Sequence, residues 1–181
     1  MNLAQTVTLL VALLLSNQKT IGASDPIETV PYVNLEAYMG TWYEIARYEN
    51  RFPKKCQAIK VNYQLKNNYI SVLNECITRN SPKENIRLAG IAYVKDPQTN
   101  AKLKISFTPI FKYLGLFAGD YWIMELDHDY RYALIGAPDL KYLWIISRTP
   151  DLSGNILEKL IDIAEINGFD RHKILVTPVR N

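Results

Sequence analysis

The stretch Gly40-Thr41-Trp42-Tyr43-Glu44 carries the clearest indication of the fold in this 181-residue chain. It opens a run in which apolar and polar residues alternate, and further runs of the same kind follow it along the chain. Alternation with a period of two residues is typical of β-strands that bury one face. The pattern therefore predicts an all-β domain whose first strand contains this tryptophan.

Short turns separate the predicted strands. Asn67-Asn68 and Asp96–Asn100 are turn-forming stretches between neighbouring strands. After the eighth strand the apolar period lengthens, and we expect a helix that Ser153 caps and Gly168 ends, with one apolar face against the sheet. Eight strands close into a barrel that admits one small ligand, although a two-sheet sandwich accounts for the strand count equally well. The predicted strands are 41–49, 57–66, 69–78, 86–95, 101–108, 120–127, 131–137 and 141–148.

Three motifs favour the barrel. Gly40-Thr41-Trp42 resembles the Gly-x-Trp signature of the lipocalin family. Leu126–Tyr130 is similar to the family's acidic-Tyr turn between the sixth and seventh strands, and Ser147–Pro150 resembles the stretch that carries its single arginine. The resemblance is closest to bacterial lipocalins and apolipoprotein D-like lipocalins. It implies an eight-stranded antiparallel up-and-down lipocalin barrel with a C-terminal helix packed outside.

The resemblance and the residue chemistry together predict a closed end for this barrel. Burying the Trp42 indole contributes roughly 2–3 kcal/mol. The guanidinium of Arg148, placed on the indole face, adds about 0.5–2 kcal/mol and donates its remaining N–H groups to strand-end carbonyls. Gly40 and Asp127, from the other two motifs, complete the expected structural base. We assign all four residues a structural role.

Side-chain alternation predicts which residues face the interior. If Arg148 points inward, so does Trp144. The Asn67-Asn68 hairpin sets Tyr63 opposite Val72, and a polar Asn74 on the same face predicts a cavity wall, because a closed core would leave its amide unpaired. The alternative is that these side chains are ordinary packed core. Together with the family resemblance, the pattern gives the expected ligand-binding residues Tyr63, Val72, Asn74, Phe107, Tyr121 and Trp144.

A binding protein fits this pattern better than an enzyme. We expect it to transport or store a small hydrophobic ligand such as a fatty acid or lysophospholipid, without a cofactor, as a monomer or dimer. The two cysteines and two histidines show no metal-ligand spacing, and no nucleophile–base set can be assembled. The alternatives are an exported interaction or inhibitor barrel with a filled interior, and a lipocalin-type enzyme.

The first residues indicate export. The apolar stretch Leu3–Leu15, followed by polar residues and Ala23, predicts a signal peptide over 1–23 and a lipocalin domain over 24–181. The predicted mature chain keeps 20 of the 21 basic residues against 18 acidic ones, too mild an excess for nucleic-acid binding. No cysteine near the predicted cleavage point could carry a lipid. We therefore expect a periplasmic or secreted protein, associated with the outer membrane, if at all, without a lipid anchor.

Two further features concern the predicted mouth of the barrel. The segment between the fifth and sixth strands is unusually apolar, and we expect Phe111, Leu114 and Leu116 to dock on an anionic membrane surface. A lid over the cavity and a dimer contact are the alternatives. Cys56 and Cys76 are expected to form a disulfide worth about 3 kcal/mol. Strand pairing sets Cys76 opposite position 59, so this bond requires a bulge.

Overall fold

The computed structural model describes residues 27–49, 56–78, 85–107 and 118–177, apart from the Gln57 side chain. The described elements are a short helix, eight strands, a longer helix, a 3-10 turn and a final short strand. In chain order they are α1 Leu35–Tyr38, β1 Gly40–Tyr48, β2 Cys56–Leu65, β3 Ile70–Thr78, β4 Ile86–Val94, β5 Lys102–Ser106, β6 Gly119–Leu126, β7 Tyr132–Gly136, β8 Leu143–Ser147, α2 Gly154–Ile166, the 3-10 helix Arg171–Lys173 and β9 Ile174–Val176.

The sheet closes into a ring. Each strand from β2 to β8 pairs antiparallel with the next, and β1 pairs with both β8 and β2. The predicted barrel is confirmed, and the two-sheet sandwich is excluded. The hairpin through Asn67-Asn68 has the expected register, with Tyr63 opposite Val72, and Lys66 N donates to Tyr69 O at 2.8 Å to hold the turn.

Two apolar clusters lie on opposite sides of the barrel wall. The inner cluster includes Trp42, Ile123 and Ile146. The outer cluster joins residues of the strands, among them Ile145, to Leu160 of helix α2. Strand residues alternate between the two clusters because successive side chains point to opposite faces of a sheet. The C-terminal helix therefore packs outside the barrel, as the sequence predicts.

The ends of α2 agree with the prediction in part. Gly168 follows the helix with a φ of +91°, a left-handed conformation that glycine adopts without strain. Ser153 stands at the N-cap position, but its side chain makes no capping hydrogen bond, so the expected side-chain cap is wrong. Its backbone carbonyl accepts instead from Ile156 N and Leu157 N, both at 3.0 Å.

Strand β9 lies where the sequence predicts a short extended segment, Ile174 to Thr177, whereas helix α1 was not among the predicted elements. Strand β9 pairs antiparallel with the second half of β1, setting Val176 opposite Ala46 and Ile174 opposite Tyr48. It extends the sheet along the part of β1 that has separated from β2. Helix α1 is four residues long and is capped by Asn34, whose side-chain oxygen accepts from Glu36 N at 3.0 Å.

The expected disulfide is present. Cys56 and Cys76 are bonded, with their Cα atoms 5.3 Å apart. Cys76 lies opposite Ile59, and β2 shifts its register between Cys56 and Ala58. The bulge brings the first residue of β2 within reach of β3, as the geometry requires. The bond ties these two strands together at the end of the barrel far from Trp42.

Some predicted features lie outside the described residues. They are the signal peptide over 1–23 and the membrane-docking residues Phe111, Leu114 and Leu116. Within the described ranges, none of the helices has the length and apolar character needed to cross a bilayer.

Candidate ligand-binding site

One end of the barrel is closed by Trp42 and Arg148. The indole is fully buried, and its Nε1 donates to Tyr38 O at 2.8 Å. The guanidinium carbon of Arg148 lies 3.9 Å from the centre of the indole. Arg148 also donates to the carbonyls of Ala37 at 2.7 Å, Thr41 at 3.0 Å and Tyr130 at 3.2 Å. The arginine thus joins α1, β1 and the β6–β7 turn across the floor of the barrel.

The other two predicted base residues lie at the same end. Gly40 has a φ of +95°, and a Cβ there would lie 3.3 Å from Arg148 Nη1, so conformation and space both favour glycine. Asp127 is buried and accepts from Arg131 Nε at 2.7 Å and Nη2 at 2.8 Å. These hydrogen bonds hold the pKa of Asp127 at about 2. Asp129 N donates to the same carboxylate at 3.1 Å and closes the turn.

Three buried tyrosines lie directly above the floor. The hydroxyl of Tyr121 is 2.8 Å from that of Tyr38 and 2.9 Å from that of Tyr63. Burial raises the pKa of all three phenols, which therefore stay neutral. This tyrosine triad has three hydroxyl protons but only two internal hydrogen bonds. One hydroxyl can therefore donate to an acceptor outside the triad. The triad places a cluster of polar hydroxyl groups in an otherwise apolar wall near the closed end of the barrel.

Several inner-face side chains above the floor are more exposed than those beside it, although Cys76, in the disulfide, is fully buried. On β3, Val72 is 1% exposed, whereas Asn74, the next residue on that face, is only half-buried. Leu88 lies opposite Asn74 and is 36% exposed, although it faces inward. On β8, Ile146 is buried and Trp144 is half-buried. The interior is therefore filled near the floor, and water reaches a hollow above it at Asn74, Leu88 and Trp144.

Aromatic rings line this hollow. Trp144 stacks on Tyr121 with ring centres 6.4 Å apart and on Tyr142 at 5.9 Å. The ring of Phe107 lies against Gly90, where a Cβ would come within 2.6 Å of it. A side chain at position 90 would thus displace the ring or the neighbouring backbone. The structure brings together on one inner surface all six predicted ligand-binding residues, Tyr63, Val72, Asn74, Phe107, Tyr121 and Trp144.

Three groups at this surface were not among the predicted site residues. Tyr38 belongs to α1, which is too short to give a periodic signal. Glu44 and Arg47 form an ion pair of 2.8 Å, yet residues three apart in a regular strand point to opposite faces. They share a face because β1 shifts its register between Glu44 and Ala46. Burial raises the pKa of Glu44 to about 7, against the opposing effects of Arg47 and Thr177.

The chemistry of the interior is that of a binding site. Among the described inner-face residues, the donors include three neutral phenols, the Asn74 amide and Arg47, and the walls are aromatic and aliphatic. In the part of the chain that the structure describes, no three His, Cys, Asp or Glu side chains are grouped closely enough to hold a metal ion. The geometry suits a ligand with an elongated apolar body and a small polar end.

Comparison with known proteins identifies the family. A model of the lipocalin-like domain matches residues 33–179, which include the whole of the barrel described above. The chain belongs to the lipocalin family. It is 40% identical to temperature-induced lipocalin-1 of Arabidopsis thaliana over 156 residues, covering 84% of this lipocalin and 82% of that protein. It is 34% identical to the outer membrane lipoprotein Blc of Escherichia coli K12 over 152 residues, covering 82% of this lipocalin and 81% of that protein.

More distant similarities include a relative in sequence and a solved structure of the same fold. Mouse apolipoprotein D is 29% identical over 156 residues, covering 82% of this lipocalin and 78% of its own chain. The crystal structure of lobster apocrustacyanin A1 superposes with a TM-score of 0.62 at 18% identity, over 82% of this lipocalin and 81% of that chain. Lipocalins generally bind small hydrophobic molecules, and the resemblance to bacterial and apolipoprotein D-like members is confirmed.

Proposed function

We propose that this lipocalin binds a single-chain lipid, a fatty acid or a lysophospholipid, inside the barrel and transports or stores it. The observation that carries the proposal is the water-exposed part of the inner face above a sealed floor. Leu88 and Trp144 face inward, yet water reaches both of them. Apolar side chains that line a hollow offer an acyl chain the contacts that water cannot supply.

The expected affinity follows from the size of such a ligand. Each buried methylene contributes about 0.8 kcal/mol, so a twelve-carbon chain gains about 10 kcal/mol. Association costs of roughly 4–15 kcal/mol offset much of this gain. Micromolar to submicromolar dissociation constants are therefore expected. A wall of this kind discriminates poorly between chain lengths, so specificity is expected to be broad.

The proposed function includes export of the protein from the cytoplasm. One relative is named an outer membrane lipoprotein and another an apolipoprotein, which supports an association with lipid and a location outside the cytoplasm. We propose that residues 1–23 are a signal peptide and that 24–181 form the mature domain, periplasmic or secreted. We also propose that Phe111, Leu114 and Leu116 contact a membrane surface during ligand transfer. Binding rather than catalysis is the proposed activity.

The test begins with the purified protein. Solvent extraction followed by mass spectrometry is expected to release acyl lipids. The delipidated protein is then titrated with dodecanoate by calorimetry, with saturation expected at one molecule per chain. The two half-buried tryptophans Trp144 and Trp122 provide matched variants, because Trp144 faces inward whereas Trp122 lies on the outer wall beside Lys102.

The two variants give opposite expectations. W144A removes a wall of the hollow and is expected to weaken dodecanoate binding about tenfold or more. W122A deletes an indole of the same size from the outside and is expected to leave the affinity unchanged. Equal effects of the two substitutions would contradict binding inside the barrel. Absence of any saturable binding would favour a barrel that is filled by its own side chains and acts through protein contacts.

A further inference from the structure

The bulge in β1 places a charged pair inside the barrel. Glu44 lies opposite Ile146 and Arg47 lies opposite Trp144, and both of these β8 residues face inward. The two residues between them, Ile45 and Ala46, belong to the outer cluster against α2. One extra residue on the outer side thus brings Glu44 and Arg47 side by side on the inner face.

The pair is well shielded, and the described residues use only part of the hydrogen-bonding capacity of Arg47. The side chains of Glu44 and Arg47 are 7% and 14% exposed. Arg47 Nε donates to Glu44 Oε1 at 2.8 Å, and Thr177 Oγ1 donates to the same oxygen at 3.1 Å. Arg47 Nη1 makes one long contact of 3.4 Å, to Tyr48 O, and no hydrogen bond joins Nη2 to another described residue. A largely buried guanidinium with N–H groups that no described residue accepts is suited to a second anionic partner.

We propose that Arg47 binds the carboxylate of a fatty-acid ligand and that Glu44 is the internal carboxylate with which the ligand competes. This inference rests on the proposed function and names the polar end of the ligand. Arg47 lies opposite Trp144, at the aromatic wall of the hollow, so the acyl chain can extend along that wall while its carboxylate meets the guanidinium.

Charge balance links the binding to a proton. One arginine neutralises one carboxylate, so a bound fatty acid and an ionised Glu44 would together leave an uncompensated buried charge. Among the described residues, only Arg47 of β1 and Thr177 after β9 act on the Glu44 carboxyl, and its partners across β8 are apolar. Protonation of Glu44 is thus the direct way to release Arg47 for the ligand.

The pH dependence has a definite sign. The Glu44 carboxyl, with its pKa near 7, is mostly protonated at pH 6 and mostly ionised at pH 8. Dodecanoate is ionised at both values. Binding with uptake of one proton is therefore expected to weaken about tenfold between pH 6 and pH 8. The methyl ester of the same acid has no charge and is expected to show no such dependence.

The experiment compares dodecanoate with methyl dodecanoate by displacement of a fluorescent lipid at both pH values. R47Q is expected to lower the affinity for the acid about 10- to 100-fold and to leave the ester unchanged. The control R87Q alters an arginine that is 70% exposed and paired with Glu75 on the outer wall, and no effect is expected. Circular dichroism melts confirm that each variant is folded.

A second variant separates this role from a structural one. E44Q leaves Arg47 without an internal counter-charge, and it is expected to bind the acid about tenfold more tightly than the wild type at pH 8 and equally at pH 6. Should E44Q weaken acid and ester alike, the pair would be a structural element, and the inference would fall. Should wild type bind acid and ester equally at both pH values, the inference would fall while the proposed function stands. Failure to bind either compound would overturn the proposed function itself.

Discussion

Replacing Arg148 with alanine is expected to cost the barrel a large share of its stability. The guanidinium carbon lies 3.9 Å from the Trp42 ring centre, a contact worth about 1 kcal/mol at a partly exposed site. The three hydrogen bonds to the carbonyls of Ala37, Thr41 and Tyr130 contribute about 1 kcal/mol each, because water can reach part of this site and replace them. R148A is therefore expected to lower the free energy of unfolding by about 3–4 kcal/mol.

Equilibrium unfolding in urea, followed by far-ultraviolet circular dichroism with the disulfide intact, measures this loss. The control R87A removes an arginine from the outer wall and is expected to cost about 0.5 kcal/mol or less. R148K keeps the positive charge but loses the planar guanidinium with its several N–H donors. It is expected to restore about 1 kcal/mol of the lost free energy of unfolding. If R148A and R87A unfold at the same urea concentration, Arg148 does not join the floor of the barrel, and the reasoning about the closed end is wrong.

Two further predictions concern stability. D127N is expected to lower the free energy of unfolding by about 1–2 kcal/mol at pH 7, because Arg131 keeps the pKa of Asp127 in the folded protein near 2, below its ordinary value. This stabilisation is present above about pH 4 and is lost as the pH falls through 2, so urea titrations of wild type and variant should converge in acid; a constant difference would contradict the ionic origin. The double variant C56S/C76S is expected to lose about 3 kcal/mol, since the bond spans 20 residues. An unchanged free energy of unfolding would mean that the bulged start of β2 keeps its position beside β3 without the disulfide.

Much of the barrel could be predicted because its signals are local. The hairpin at Asn67-Asn68 sets its own register by turn chemistry, and the alternation of apolar residues then assigns Tyr63 and Val72 to one face. The change to a period near 3.6 residues likewise predicts helix α2. Each of these inferences uses residues within a few positions of one another.

The parts that could not be predicted depend on irregular backbone. Regular alternation from Ile123 would place the Glu125 side chain inside the barrel. The register shifts between these residues, however, and Glu125 Oε1 lies 2.9 Å from Lys159 Nζ of α2 on the outside. The bulge in β1 likewise brings Arg47 to the inner face beside Glu44. A bulge inserts one residue without a distinctive side chain, so the alternation alone cannot show where parity reverses.

The central claim is that a lipid lies inside the barrel against the aromatic wall, and contacts between ligand and protein protons test it most directly. Uniformly ¹³C-labelled dodecanoate, bound to unlabelled protein, is expected to show isotope-filtered nuclear Overhauser effects from its methylenes to the rings of Phe107, Tyr121 and Trp144. Cross-peaks confined to outer-wall groups such as the Trp122 ring, from a ligand bound at one molecule per chain, would contradict the account.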